Sequence, residues 1–394
     1  MTGRDHEVLT DADEAMIHAL HDKPTRAAIV VTGGASLLIS RLLCVPGASQ
    51  TVLEAHVPYA SSGLSDYLGQ RPESSCSHAT ALAMSVRAHE RGCRLAQDGP
   101  VEDIVGLAAT CSLASDRPKR GPHRAHIAIQ TAATTASVHL DLEKDVRSRA
   151  EEEDLVARLA LDLLAEAAHV TQRVAVPLGA GDVCTRNRTT ASPELADVWN
   201  RRSEVAWALP AGTWSRTLDA PPVGLLCGSF APRHKGHEQL REAAEQILSG
   251  PVYYELTATN ADKPALDFET LERRRAAFTD HPLAITAAAT FEQKSRLFPG
   301  TTFVVGHDTA VRIVDPRFYA NDPARRDQAL STIASHDCRF LVAGRLDGNT
   351  FLDLDAISLP PAHETLFEGI PAEDFRCDIS STAIRHASAR NDTG

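Results

Sequence analysis

The chain is poor in aromatic side chains and in basic charge. Aromatic residues make up 5% of its 394 residues, too few for the stacking surfaces that bind single-stranded nucleic acid. Asp and Glu outnumber Lys and Arg by 52 to 40, which gives a net charge of −12, whereas proteins that bind a nucleic-acid backbone concentrate positive charge. We therefore expect no nucleic-acid partner.

Three further absences narrow the class of protein. No apolar run reaches the roughly 18 residues of a membrane span, so no membrane association is expected. The first 25 residues are polar and acidic and lack the basic-then-apolar pattern of a targeting peptide. The eight cysteines show no paired metal-ligand spacing, and several lie in apolar runs, as buried thiols do. These features predict a cytoplasmic protein, since thiols stay reduced there.

Length and pattern predict two α/β domains. A chain of 394 residues is long enough for two separate cores, and strands alternate with helices in both halves. We predict a first domain at residues 1–170, a connecting segment at 171–220 and a second domain at 221–394. All three tryptophans lie in the connecting segment, so we expect it to pack against a domain and not to form a free linker.

Two histidines stand where a predicted strand gives way to a predicted helix. Residues 223–227 form an apolar run that Gly228 ends, and a helix is predicted at residues 238–248. His234 and His237 lie between them, near a helix N-terminus whose free N–H groups and positive dipole end suit a phosphate. Imidazoles there can donate hydrogen bonds to a phosphoryl oxygen as charge builds on it. Zinc is the alternative ligand for two nearby histidines, but zinc needs about four ligands, and no cysteine or carboxylate stands at suitable spacing. No protein-held metal is therefore predicted.

A serine-rich stretch near the C-terminus offers further phosphate ligands. Ser380, Ser381 and Thr382 are residues that cap helix N-termini and have hydroxyl groups available to oxygens. Arg385 follows within one helical turn and can fork onto a phosphate. An ordinary helix cap has the same pattern, and the histidine motif upstream favours the phosphate-binding interpretation.

Both stretches resemble signatures of the nucleotidyltransferase superfamily, whose members join a nucleoside triphosphate to a phosphate-bearing acceptor and release pyrophosphate. The turn from Gly306 to Asp308, after a predicted strand, resembles the Gly-x-Asp turn of nicotinamide- and nicotinate-mononucleotide adenylyltransferases. The resemblance implies a Rossmann-like domain with a parallel sheet, and gives His234 and His237 the catalytic role. The residues it assigns to ATP and phosphate binding are Gly228, Ser229, Phe230, Gly236, Ser380, Ser381, Thr382 and Arg385.

Several polar residues follow predicted strands, at the edge where open α/β sheets bind ligands. The predicted acceptor or nucleotide pocket contains Asn260, Gly306, Asp308 and Arg345. Other basic residues are ambiguous. The three arginines at 273–275 form a solvated helix face or, through Arg274, an acceptor contact, while Lys263 and Lys294 are surface lysines by default and phosphate contacts in the alternative.

The resemblance implies transfer of AMP from ATP, with Mg²⁺ carried by the phosphates, to nicotinamide or nicotinate mononucleotide. Phosphoryl transfer depends mostly on positioning and charge neutralisation, and an ionised acceptor phosphate needs no general base. One alternative is a cytidylyl- or adenylyltransferase that acts on another phosphate ester. Another is a regulator that senses pyridine nucleotides without turning them over.

The N-terminal half resembles the CinA C-terminal domain, the family that includes nicotinamide-mononucleotide deamidases. The resemblance implies an α/β/α layered domain through which the chain can form homo-oligomers. The matching parts are residues 32–34, 45–49, 57 and 59, 68–69 and 118–119.

The same half departs from the amidases where their chemistry would be. The nucleophilic serine falls on Thr32 or Val30, depending on the alignment, and the activating lysine falls on Leu64. Because a serine nucleophile needs an adjacent base, we expect amidase activity to be lost, with Ser36 or Ser61 as displaced substitutes in the alternative. A retained phosphate or nucleotide pocket around Gly33, Gly34 and Arg120 is one alternative. The other is that Arg117, Lys119, Arg120 and Arg124 form an exposed basic loop.

Overall fold

The computed structural model describes residues 9–96, 99–116, 121–259, 264–348 and 350–376. Contacts divide the chain into two units, residues 1–196 with 262–270 and residues 197–261 with 271–394. This division differs from the predicted boundaries, because it assigns residues 171–196 of the connecting segment to the first unit and 197–220 to the second. In the described part of the chain, no helix is both long and apolar enough to cross a membrane.

The first unit contains a six-stranded sheet in the order β2-β1-β3-β4-β5-β6, in which β2, β1 and β3 are parallel and the others antiparallel. Its elements are α1 (Asp11–His21), β1 (Arg26–Thr32), α2 (Ser36–Cys44), α3 (Ala48–Thr51), β2 (Val52–His56), α4 (Ser61–Leu68), α5 (His78–Leu95), β3 (Ile104–Ser112), β4 (His123–Gln130), β5 (Thr134–Leu142), α6 (Arg149–Ala167) and β6 (Val183–Thr190). The helix α7 (Pro193–Trp199) spans the boundary to the second unit.

Helices cover both faces of this sheet. Alternation along β1 sends Ile29 and Val31 into the cluster that includes residues of α1, α2 and α6. Ala28 and Val30 face the other way, into a cluster with residues of α4 and α5. The first unit therefore has the predicted α/β/α layering.

A short segment from far along the sequence completes the first unit. Within residues 262–270, the N–H of the fully buried Phe268 donates to Oγ1 of Thr135 at 2.9 Å. The Glu269 carboxylate lies 2.7 Å from Nε2 of His78 and accepts from the Ser137 hydroxyl at 3.2 Å. The first unit is therefore discontinuous in sequence.

The second unit contains an eight-stranded sheet in the order β16-β13-β12-β9-β10-β11-β7-β8. Its elements are β7 (Val205–Ala208), β8 (Trp214–Ser215), β9 (Gly224–Cys227), α8 (Lys235–Leu248), β10 (Val252–Thr257), α9 (Phe268–Arg275), β11 (Leu283–Thr286), α10 (Phe291–Leu297), β12 (Thr302–Gly306), α11 (His307–Val314), α12 (Pro323–Ser335), β13 (Arg339–Ala343), the hairpin β14 (Arg345–Asp347) and β15 (Thr350–Leu352), and β16 (Phe367–Gly369). The first three residues of α9 count with the first unit.

Six of these strands are parallel, and the two added at one edge, β7 and β8, are antiparallel. The prediction of two α/β domains, the second Rossmann-like, is confirmed. Chain order runs from β9 outward to β10 and β11, then returns to β12 on the other side of β9. The point where strand order reverses lies between β9 and β12, and the crevice beyond the carboxyl ends of these strands is where such sheets bind ligands.

Candidate functional site

The loop between β9 and α8 begins at the carboxyl edge of the second sheet. The Gly228 N–H donates to the Glu255 carbonyl at 3.1 Å, which continues the pairing of β9 with β10. Phe230 has a φ of 45°, an unusual left-handed conformation for a residue with a side chain. Its side chain is buried against Tyr254 and Phe278, so only its backbone is left to serve the predicted phosphate-binding role.

The two histidines of the motif lie against each other at the N-terminus of α8, with their rings tilted by 31°. Their ring centroids are 3.8 Å apart, and both residues are half-buried. The backbone N–H of His234, the residue that caps the helix, donates to Nδ1 of His237 at 3.1 Å. Because Nδ1 accepts this bond, the proton of a neutral His237 ring lies on Nε2. His237 is thus held as a donor through Nε2.

Both rings favour the neutral state. Burial, the neighbouring His234 and the charge of Arg233 lower the pKa of His237 to about 4. Burial also lowers the pKa of His234. A phosphate placed against these rings would raise both pKa values, because a nearby negative charge favours the protonated form. The pair can therefore donate as neutral imidazoles and gain charge when an anion arrives.

In an NMR titration of the free protein, His237 is expected to change protonation at about pH 4, with the proton on Nε2 above that pH. An unfolded chain takes up this proton near pH 6.5, so stability linked to His237 falls as the pH drops from about 6.5 to 4. Two-dimensional ¹H–¹⁵N spectra distinguish the tautomers, and a His237→Asn variant assigns the signal. Titration near pH 6.5 would contradict the burial of the His237 ring.

Arg233 anchors the histidine loop. Its guanidinium is 5% exposed and donates two hydrogen bonds of 2.7 Å to the carboxylate of Asp280. It also donates to the Ala277 carbonyl at 2.6 Å and lies over the rings of Tyr254 and Phe278. This pairing lowers the pKa of Asp280 to about 2. The side chain of Arg233 therefore stabilises the histidine loop.

A second arginine holds the same loop from α9. Arg274 donates to the carbonyl of Ser229 at 2.9 Å, so its contact is with the loop backbone. Gly236 is buried in the first turn of α8, where a helix leaves backbone N–H groups without partners inside the helix. The arginine contacts fix the loop that contains Gly228 and Ser229, two of the predicted phosphate-binding residues, and Gly236 follows in the helix.

The structure brings some of the predicted pocket residues together at the edge of the second sheet. Gly306 ends β12 in an exposed position, and Asp308 lies in the first turn of α11. Nη1 of Arg345 lies 3.0 Å from the Asp308 carboxylate. The predicted residues that lie outside the described part of the chain are Asn260, Lys263, Ser380, Ser381, Thr382 and Arg385.

The expectation that Lys294 is a surface lysine is wrong. Its side chain is 5% exposed and forms a close ion pair with Glu255, itself 1% exposed. The ammonium also donates to Oγ1 of Thr257 at 2.6 Å, and Oγ1 of Thr286 donates to the same carboxylate at 2.6 Å. With its charge neutralised inside the unit, Lys294 holds β10, β11 and α10 together.

Sequence patterns missed two other features of this unit. The pair of Arg233 and Asp280 is separated by 47 residues, and a single sequence contains no signal for such a contact. The second missed feature is His307, the middle residue of the Gly-x-Asp turn. The sequence shows it only as a histidine at the variable position of that turn. Nor do the described residues include a group of three or more His, Cys, Asp or Glu side chains that could hold a metal ion.

In the first unit, the N-terminus of α2 is occupied by a side chain of the protein itself. The Glu153 carboxylate accepts from the N–H groups of Ala35 and Leu37 at 3.0 and 3.3 Å. It also accepts from both the N–H and the hydroxyl of Ser36, the latter at 2.8 Å. An anion would be expected at such a helix end, and Glu153 supplies the negative charge.

The residues aligned with the amidase machinery pack in the core or bond to the backbone of the first unit. Val30 and Leu64 lie in the core, and the Thr32 hydroxyl donates to the Pro58 carbonyl at 3.0 Å. A Cβ at Gly33 would lie 2.1 Å from the Cys111 carbonyl oxygen, so close packing against β3 requires this glycine.

Other predicted residues of the first unit have different outcomes. Arg124 lies half-buried in β4 and not in an exposed loop, which corrects that expectation. Ser61 is exposed at the start of α4. Arg117, Lys119 and Arg120 lie outside the described residues.

Replacing Glu153 by glutamine is expected to expose the N-terminus of α2 to exchange. The variant loses a carboxylate that accepts hydrogen bonds from several N–H groups. Each such charge-assisted bond contributes roughly 1.5–3 kcal/mol to stability. Amide hydrogen exchange at residues 35–37 should become about 10-fold faster or more. Glu14→Gln, an exposed change in α1, is the matched control. Unchanged exchange at these amides would show that Glu153 does not hold the turn.

No protein-family model matches the chain. A relative from Roseobacter denitrificans described as "Probable nicotinate-nucleotide adenylyltransferase" is 33% identical over 96 residues, which is 21% of this chain and 48% of the relative. The chain thus spans about half the length of this curated relative.

Solved structures of the CinA superfamily are also similar. The protein CihA from Agrobacterium tumefaciens is 18% identical, covering 40% of this chain and 97% of that one with a TM-score of 0.33. A CinA superfamily protein from Klebsiella pneumoniae is 16% identical over the same shares, with a TM-score of 0.32. The similar proteins are thus described as an adenylyltransferase and as CinA superfamily proteins, the two groups that the motifs resemble.

Proposed function

We propose that the second unit is a nucleotidyltransferase that transfers a nucleoside monophosphate, AMP from ATP, to nicotinate or nicotinamide mononucleotide. The observation that supports this proposal is the close pair of His234 and His237 at the N-terminus of α8, beside the point where strand order reverses. The similarity to the Roseobacter denitrificans protein favours a pyridine mononucleotide as the acceptor.

In the proposed reaction, an acceptor phosphate oxygen attacks the α-phosphorus of the triphosphate. The bond from that phosphorus to the oxygen bridging the α and β positions breaks, and pyrophosphate leaves with the electron pair. The acceptor oxygen is already ionised, so no proton has to be removed from it. Nε2–H of His237 donates to the phosphoryl oxygens, where charge increases in the transition state. The N-terminus of α8 adds its positive dipole end.

Magnesium enters this scheme as part of the substrate. The described residues contain no cluster of carboxylates for a resident cation, and Asp308 is paired with Arg345. Mg²⁺ is a strongly hydrated ion that is commonly bound through substrate phosphates and water. Mg–ATP is therefore the proposed form of the donor, and the protein residues position its phosphates.

Pyrophosphate release tests the proposal. The full chain is incubated with Mg²⁺, one of the four nucleoside triphosphates and one acceptor from a panel of phosphate esters that includes both pyridine mononucleotides. We expect turnover with ATP and a pyridine mononucleotide. Turnover with CTP and not ATP, or only with another phosphate ester, would replace the proposed substrates. No turnover with any pair would favour a nucleotide sensor.

For the first unit we propose a role without amidase chemistry. This is supported by the engagement of the Ser36 hydroxyl with Glu153 and by the burial of Val30 and Leu64. Ammonia release from nicotinamide mononucleotide measures the activity directly, and release above that of a heat-denatured sample would overturn this proposal.

A further inference from the structure

His307 is a buried histidine whose ring lacks hydrogen bonds. It is the first residue of α11, directly after β12, and its side chain is 8% exposed. Neither Nδ1 nor Nε2 has a hydrogen-bond partner in the described structure. The Asp308 carboxylate lies 3.8 Å from Nδ1, beyond hydrogen-bond distance.

The position of His307 in the fold suits an apolar side chain. It extends the buried stripe of Ala310, Ile313 and Val314 to the end of α11 that lies at the carboxyl edge of the sheet. An apolar side chain would serve that packing better, because a buried polar atom without a partner has lost its hydration. Buried polar atoms in proteins nearly always have partners, so an exception at a ligand-binding edge indicates one supplied by a ligand.

The position of His307 relative to the histidine loop follows from strand register. Val304 of β12 pairs with Leu226 of β9, so the segments that follow these two parallel strands leave the sheet at neighbouring points. From there β9 continues into the loop before His234, and β12 continues into His307. The two segments flank the crevice where strand order reverses.

We propose that His307 binds the nucleoside part of a nucleotide and so contributes to substrate specificity. This inference rests on the proposed function and names a further binding residue for it. An imidazole in its neutral form has one donor and one acceptor nitrogen, a pattern that complements a ribose hydroxyl or the edge of a base. Phosphate oxygens only accept hydrogen bonds, and in the proposed function the donors to them come from the loop of His234 and His237. The nucleoside can belong to the triphosphate or to the mononucleotide.

Calorimetric titration of the full chain separates these sources. The probes are α,β-methylene ATP, nicotinate mononucleotide and inorganic triphosphate, each with Mg²⁺. His307→Phe keeps a ring of similar size but removes both nitrogens. We expect the Kd of one nucleotide to rise about 10-fold or more, as loss of a buried polar partner does. The Kd of the other nucleotide and that of inorganic triphosphate should stay within about 2-fold.

The matched control is His363→Phe, a buried histidine elsewhere in the same unit, which should leave all three Kd values unchanged. Equal weakening of inorganic triphosphate and nucleotide would mean that His307 only supports packing, and would overturn the proposal. Unchanged nucleotide binding in the variant, or no nucleotide binding by the unmodified protein, would also overturn it. If circular dichroism shows that His307→Phe does not fold, His307→Leu takes its place.

Pyrophosphate release by the unmodified protein is measured in parallel. Nucleotide binding that depends on His307 without any turnover would reject the proposed function and leave this inference standing. Turnover by the unmodified protein, with nucleotide Kd values that do not depend on His307, would support the proposed function and overturn this inference.

Discussion

Replacing His237 by alanine is expected to lower kcat for pyrophosphate release by about 10²-fold or more, the effect of removing one preorganised transition-state donor. The expectation depends on the bond from the His234 N–H to Nδ1, which places the donor proton on Nε2. A ring with a pKa of about 4 keeps that proton arrangement across the neutral range. Steady-state kinetics with saturating ATP and acceptor measure the change.

The control for this prediction lies on the same helix. Gln239 is exposed on α8, and Gln239→Ala should leave kcat unchanged. A rise in KM for ATP at constant kcat in His237→Ala would mean that His237 binds substrate and transition state equally. An unchanged kcat and KM would place the catalytic centre elsewhere.

Replacing Lys294 by methionine is expected to lower the free energy of unfolding of the second unit by about 3–5 kcal/mol, because it leaves a buried carboxylate without its counter-charge. Lys294 and Glu255 are 5% and 1% exposed, so water cannot compensate for the loss. All three tryptophans lie between residues 197 and 261, so their fluorescence during urea unfolding reports on the second unit.

Two further variants make this result specific. Arg296→Met removes an exposed charge from the same helix, where a surface pair contributes at most about 1 kcal/mol. Adding Glu255→Gln to Lys294→Met should recover part of the loss, because no uncompensated charge remains. A loss below about 1 kcal/mol in Lys294→Met would contradict the burial of the pair.

The sequence allowed the central strands and the histidine loop to be predicted because their signals are local. Apolar runs that end in glycine marked β9 and β12, whereas the helix predicted at residues 238–248 begins earlier, at Lys235, so that His237 lies in its first turn. The antiparallel strands β5 and β6 were not predicted, since pairing of such strands depends on register with distant residues and not on an apolar run.

The candidate site was only partly predictable for a related reason. The residues assigned to phosphate contact came from motifs, whereas the contacts that position them join distant parts of the chain. Lys294 meets its carboxylate 39 residues away, and Arg233 meets Asp280 47 residues away. Whether a charged side chain is buried depends on such partners, so composition alone assigned Lys294 to the surface.

The segment at residues 262–270 limits how the chain can be dissected. A cut between residues 196 and 197 would leave the first fragment without Phe268 and its bond to Thr135. The second fragment would retain that apolar ring without the neighbours that bury it. Each fragment would then lack contacts that the intact chain makes. Insertions or circular permutations near this segment should impair both halves, and truncation series that treat them as independent modules should yield aggregation-prone products.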